Sequence, residues 1–261
     1  MDLKALQLES RFSLPPNSLG YCGQNTAAAR FKKCIIDKKC NEVEEEISKF
    51  IVLYPYLKTI SKITKLPVFS YEVIEAYWIG NDLLKQAKSE DYDLLLKNFK
   101  KQGVPYFFIK ELKRKQPKVF IPSHLFQVLH VGVGKASGAV PFNLESINNC
   151  MVRWGKVEEI NNSKVTINLH SLKISHDVIL NEVKNPTRSF AKAQDDNREL
   201  TVSKEKIPFD PKIVEGLKIG DTVAAHWNMV IKILTKEEER KLSFWTGKVI
   251  QNIILPFDRL R

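Results

Sequence analysis

"NCMVRWGKVEEI", residues 149–160, is where the apolar period of this chain changes. Beyond Cys150, Val157 and Ile160 lead into Asn161-Asn162-Ser163, after which Val165, Ile167 and Leu169 alternate with polar residues, the pattern of a β-hairpin. Further on, "LKIGDTVAAHWNMVIKIL" (217–234) sets Gly220-Asp221 at a turn before a strand through Val223. "TKEE" then offers Thr235 and Glu238 as a capping box for a last helix, whose Leu242, Trp245, Val249 and Ile253 form one apolar face suited to cover a small barrel's open end.

Before residue 149 the period is helical. In "NEVEEEISKFIVLY" (41–54), Val43, Ile47, Phe50, Ile51 and Tyr54 recur at helix spacing, opened by Asn41 with Glu44 three residues on. Val73, Ile74, Tyr77 and Trp78 form a second stripe, and Tyr92, Leu95, Leu96 and Phe99 a third. "RFSLPPNSLGYCG" (11–23) carries Pro15, Pro16, Gly20 and Gly23, which predict an ordered non-helical loop. "HVGVGKASG" (130–138) matches no phosphate-binding glycine fingerprint and reads as a linker. The expected fold is α+β: an all-α domain over residues 1–149, then a small β-barrel domain with a C-terminal helix over residues 150–261.

Residues 174–206 break the strand period. Their runs "VILNEVKNP" and "RSFAKAQDDN" resemble translated palindromic repeats that occur in unrelated bacterial proteins through DNA insertion, so the segment is expected to be an inserted surface loop. His176 and Asp177 are discounted as ligands for that reason.

Composition narrows the function classes. With 261 residues, 43% of them apolar, the chain can bury a sizeable core, and its longest apolar run, "FIVLYPYL", is far short of a bilayer span. A soluble, cytoplasmic protein is expected. Four cysteines, Cys22, Cys34, Cys40 and Cys150, show no C-x-x-C spacing, so neither a structural zinc site nor an obligate disulfide is expected. The net charge of +11 invites a nucleic-acid reading, and "KELKRKQPK" (110–118) is the densest basic run. No base-reading motif accompanies it, so it reads as a solvated helix face and nucleic acid is not the expected partner.

Cys150, Gly155-Lys156-Val157, Gly220-Asp221, Val223, His226 and the helix start "TKEEERKL" stand in an order that resembles the hydrogenase maturation chaperone family (HypC/HupF type). That resemblance implies an OB-like barrel whose cysteine, helped by the histidine, holds an iron carrying cyanide and carbonyl ligands, together with a protein partner in cofactor assembly. Cys150 and His226 are then the metal ligands: a thiolate is a soft donor suited to electron-rich iron, and neutral imidazole adds a second bond. The family carries cargo rather than turning over a substrate. Through "RFSLPPNSLGYCG", "EAYWIGN" and "HLFQVLHVGVG", the whole chain also resembles a prokaryotic family of unknown activity.

Two other function classes use the same residues. A thiol enzyme would have His226 lower the pKa of Cys150, and a nucleic-acid-binding module would use the charge and the barrel. Cys22, in a glycine-flanked loop, and His124 and His130, six residues apart, are assigned to packing or the surface, although either histidine can approach the barrel across a domain interface.

Overall fold

The N-terminal helix shows tertiary burial overriding local propensity. The structure is a computed structural model describing residues 2–24, 27–136, 138–175 and 197–253. In it α1 runs over Leu3–Ser18, with Pro15 and Pro16 inside its last turn. The loop expected for residues 11–23 is therefore confined to the segment after Ser18. A proline inside a helix costs about 3 kcal/mol, less near an end, whereas full burial of a large apolar side chain contributes roughly 1.5–3 kcal/mol. Leu6, Leu8, Phe12 and Leu14 are all buried, so packing wins. Asp2 caps the helix, accepting from the Ala5 amide at 3.1 Å through one carboxylate oxygen and from the Tyr71 amide at 3.0 Å through the other.

The helical layer continues through α2 (Ala27–Asp37), α3 (Val43–Ser48), α4 (Leu53–Thr64), α5 (Tyr71–Trp78), α6 (Tyr92–Lys101) and α7 (Tyr106–Arg114). The apolar stripes expected on α5 and α6 are buried as read. The single helix expected through Tyr54 is instead two, because Pro55 has no N–H to give the carbonyl four residues back and is tolerated only in a first turn. Asn41 is not its cap; α3 begins after Glu42 without a side-chain cap, and Glu44, Glu45 and Glu46 complement its N-terminal dipole.

The expectation of no disulfide is also corrected. Cys34 of α2 is bonded to Cys40. Lys38, at a φ of 58°, turns the chain back just past the helix and brings the two Cα atoms to 4.4 Å, a return that linear spacing does not display.

A single α-helical turn, α8 (His124–Phe126), passes into a π-helical turn over Gln127–Gly132, and α9 (Leu144–Cys150) delivers the chain to the sheet. The strands are β1 (Arg153–Asn161), β2 (Lys164–Ser175), β3 (Asn197–Pro208), β4 (Thr222–His226) and β5 (Met229–Ile233), all antiparallel in the order β3-β2-β1-β4-β5. Asn162, at a φ of 53°, makes the expected hairpin turn, and Trp227 and Asn228, at 48° and 55°, make a second.

The α+β class holds, but the barrel is not closed. Among the described residues one parallel bridge, Phe209 to Val230, joins the two edges of the sheet. β4 and β5 have five residues each against twelve in β3, too few to ladder along it. α1 covers the gap: the Arg11 guanidinium donates to the carbonyls of Ile213 and Ile231. The last helix, α10 (Lys236–Asn252), carries the expected Thr235–Glu238 capping box and touches both edge strands of the sheet, through Glu238 on Lys232 of β5 and the Ile250 carbonyl on Arg198 of β3. It also packs on the helical layer, where Lys241 pairs with Glu75 at 3.0 Å and Trp245 sits against Gly80. The buried side chains of both halves form one continuous core.

β2 and β3 pair without interruption from Lys164 opposite Pro208 to Ser175 opposite Asn197. The ends assigned to the inserted loop, 174–175 and 197–206, are therefore strand; residues 176–196, with His176 and Asp177, lie outside the described residues. Among the described residues no helix is long and apolar enough to cross a membrane.

Two outcomes follow from the register. Joining Ser175 to Asn197 through Asn-Gly in place of residues 176–196 should change unfolding free energy by less than about 1 kcal/mol in urea titrations, because a two-residue turn fits the existing pairing. Gly155→Ala should destabilise by about 2–3 kcal/mol, since a Cβ there would lie 2.0 Å from the Asn168 carbonyl oxygen of the neighbouring strand.

Candidate metal centre

Pro16 lacks the N–H that a regular helix would direct at the Phe12 carbonyl. That carbonyl instead receives His226 at the end of β4, with Nδ1 2.7 Å from the Phe12 oxygen. Because the partner is an acceptor, the proton of neutral His226 resides on Nδ1, and Nε2 is a bare lone pair. Nε2 is buried and, among the described residues, has no hydrogen-bond partner.

α9 brings Cys150 to the same place. Its sulfur and one ring nitrogen from each of His124 and His226 lie within 4.8 Å of one another, all three residues being buried, and such a set can hold a metal ion. The structure thus brings Cys150 and His226 together and adds His124. His124 Nε2 donates to the Cys150 carbonyl at 2.7 Å and lies 3.8 Å from the Cys150 sulfur; its Nδ1 is 3.0 Å from the Tyr77 hydroxyl. His124 can ligate only after its proton moves to Nδ1; in the arrangement seen it positions the Cys150 backbone. The two imidazoles meet edge to face at 5.2 Å, and Trp78 packs on both, at 4.3 Å from His124 and 5.4 Å from His226.

The cluster forms one wall of a cavity of about 510 Å³ at the junction of helices and sheet, whose other walls include Tyr21, Cys22, Phe50 and Trp227. Cys22 sits in the loop after α1, where Asn17 donates to its carbonyl at 2.7 Å. Gly23 must lack a side chain, since a Cβ would meet the Phe50 ring at 2.3 Å. His130 lies apart from the cluster, bonded through Nε2 to the Tyr92 hydroxyl at 2.9 Å.

Burial sets the protonation states. It raises the Cys150 thiol well above its ordinary pKa, the Cys22 thiol nearby adds to this, and the Trp227 indole N–H alone opposes it. Among the described residues that N–H has no nitrogen or oxygen acceptor. Burial also lowers His226 to about 4 against the carbonyls of Phe12 and Cys150, which favour its charged form, and lowers His124 well below its ordinary value, with His226 adding to the effect. The cluster is a neutral thiol beside two neutral imidazoles. Cys22 is pushed up to about 11 by burial.

Behind Trp78 stands a buried carboxyl that the sequence reading passed over, Glu9 of α1. Trp78 Nε1 donates to one oxygen at 2.9 Å and the Ser13 hydroxyl to the other at 2.7 Å, yet burial outweighs both donors and raises its pKa to about 7. Its position on the Ala5-Phe12 face of a helix is the signal that would have found it. His124 offered no such signal, since its neighbours come from α5 and α9.

The chain belongs to a family of unknown function (DUF6390), which matches residues 3–255. No curated protein and no solved structure matches it.

The buried imidazoles predict acid sensitivity. His226 and His130, both lowered to about 4, contribute stability that is present above the unfolded value near 6.5 and lost as pH falls through 4. Glu9, raised to about 7, acts oppositely: its contribution is present below about 4.5 and lost as pH rises through 7. His226, His130 and Glu9 are each worth roughly 3 kcal/mol at full effect, and His124, also lowered by burial, acts in the same direction as the other two imidazoles. Urea unfolding of the metal-free protein should therefore show a net loss of several kcal/mol between pH 7 and 4, and His226→Gln should remove about one imidazole's share; a flat profile would contradict the assignment.

Proposed function

We propose that this protein is a non-enzymatic carrier in metal-cofactor assembly, holding an iron centre through the Cys150 thiolate and His226 Nε2. The observation that carries this reading is the bare, buried His226 Nε2, unpartnered among the described residues, beside the Cys150 sulfur. A buried lone pair without a donor costs about 1–3 kcal/mol, a cost that a metal bond removes. One soft sulfur and one or two imidazoles suit iron and leave positions for other ligands, which accords with the resemblance to hydrogenase maturation chaperones and with a cyanide- and carbonyl-bearing iron. Cys150 ends a helix inside the chain, so its thiolate is the only new ligand atom it brings. Handover would proceed through the cavity, whose walls include the loop after α1. On the helical half, Tyr106 and Phe107 of α7 are exposed, 64% and 75%, and offer a protein partner an apolar foothold.

The same geometry disfavours the other two classes. A catalytic thiol needs a thiolate–imidazolium pair, whereas here burial raises the thiol and lowers both imidazoles. Within the basic run, Lys113 and Lys115 are paired with Asp93 and Glu111, as on a solvated helix face.

Protein expressed and purified without oxygen should carry about one iron per chain, with infrared bands in the cyanide and carbonyl region if the cargo is the one the resemblance implies. Cys150→Ser should abolish iron retention while leaving the urea midpoint close to wild type, and His226→Ala should weaken retention about 10- to 100-fold. Equal iron in wild type and Cys150→Ser would end this reading.

A further inference from the structure

Glu9 is completely buried, and both of its oxygens accept hydrogen bonds from side chains, Ser13 on one and Trp78 on the other. A carboxylate accepts both bonds as they stand, whereas a carboxylic acid would have to reverse one of them and donate to the Ser13 hydroxyl. A buried carboxylate calls for a nearby cation. Among the described residues none pairs with it. Of the cations on α1 and on the elements packed against it, Lys4 and Lys33 are exposed at the surface, and the others are engaged elsewhere: Arg11 by the carbonyls of Ile213 and Ile231, Arg30 by Glu46, Lys32 by Asp210 and Lys232 by Glu238. The remaining titratable groups on the Glu9 side of the core are Tyr77, which feels the Glu9 charge, and the neutral Cys150, His124 and His226 beyond Trp78. The Trp78 ring is the bridge: its N–H holds Glu9, and its face and edge meet both imidazoles.

We propose that Glu9 is the counter-charge of the metal centre when it holds a divalent cation without anionic ligands of its own, a positioning residue that loses its proton as that cation binds at Cys150 and His226, so that the loaded site is neutral. This rests on the metal-binding reading above. The balance is one dication taken up, one proton leaving the Cys150 sulfur and one leaving the Glu9 carboxyl, both to solvent; the new thiolate and carboxylate cancel the two positive charges. Without Glu9 the loaded site would hold a net positive charge in a dry interior, which is costly. The Trp78 and Ser13 donors are already set for the ionised form and need no rearrangement when it appears.

The test uses Co2+ as the probe on the full chain, with affinity followed by its visible absorption and proton release counted by calorimetry in buffers of different ionisation enthalpy. Wild type should release about two protons per Co2+ at pH 6 and about one at pH 8, where Glu9 is already ionised. Glu9→Gln keeps the shape, its oxygen accepting from Trp78 and its amide NH2 donating to the Ser13 hydroxyl, and should release about one proton at both values and bind about tenfold more weakly at pH 8. A purely structural role for Glu9 would not change the proton count. Equal counts and affinities in Glu9→Gln and wild type would overturn the proposal while leaving the metal site standing. Should Glu9→Gln fail to fold, a wild-type count of one at both pH values overturns it equally. Absence of saturable Co2+ binding, or binding undiminished in Cys150→Ser, would instead sink the metal-binding reading itself.

Discussion

The hydrogen bond from His226 Nδ1 to the Phe12 carbonyl, 2.7 Å long, ties the two halves of this protein together at its candidate site. It exists because a proline four residues on leaves that carbonyl without its helical partner, and because α1 lies across the short strands β4 and β5 rather than beside a closed barrel. One bond thereby sets three things: the seating of α1 on the sheet, the ring orientation of His226, and the nitrogen that remains bare. A second-layer acceptor that fixes a tautomer is how histidine ligands are commonly held.

Around that bond the protein gathers polar groups in a place where water would ordinarily be needed to satisfy them. Cys150, His124, His226 and Glu9 are all buried, and the desolvation that surrounds them keeps each ionisable group in or near its neutral form. Trp227 adds strain, holding a bulky side chain at positive φ directly after His226, with its indole against Tyr21 at 4.6 Å and its N–H without a nitrogen or oxygen acceptor among the described residues. Among the described residues, an imidazole nitrogen without a partner and a carboxyl without a cation lie in one region of the core.

Much of the scaffold is legible in the chain itself. The change of period after Cys150, the Asn162-Ser163 turn, the Gly220-Asp221 turn, the Thr235–Glu238 box and the stripes of α5 and α6 are local patterns, because capping, turn chemistry and amphipathicity act over a few residues. Cys150 and His226 were singled out by their order relative to those landmarks, and the fold brings them together. Local rules mislead where a distant surface outweighs them. Pro15 and Pro16 argued for a loop, but the buried face of α1 carries the helix through them; the strand alternation suggested a closed barrel, but two short strands and a covering helix leave the sheet open.

The chain by itself thus determined the change from helical to strand period, several turns and caps, and two of the candidate site residues, since these follow from periodicity and short-range chemistry. Tertiary structure alone decided that His124 joins them, that Glu9 stands behind Trp78, that Cys34 reaches Cys40, and which nitrogen of His226 is free. Each of those depends on residues far apart in sequence meeting in a buried place. There desolvation, rather than local propensity, sets the charge of every group, and it cannot be read from residue order because it depends on what the rest of the fold lays over them.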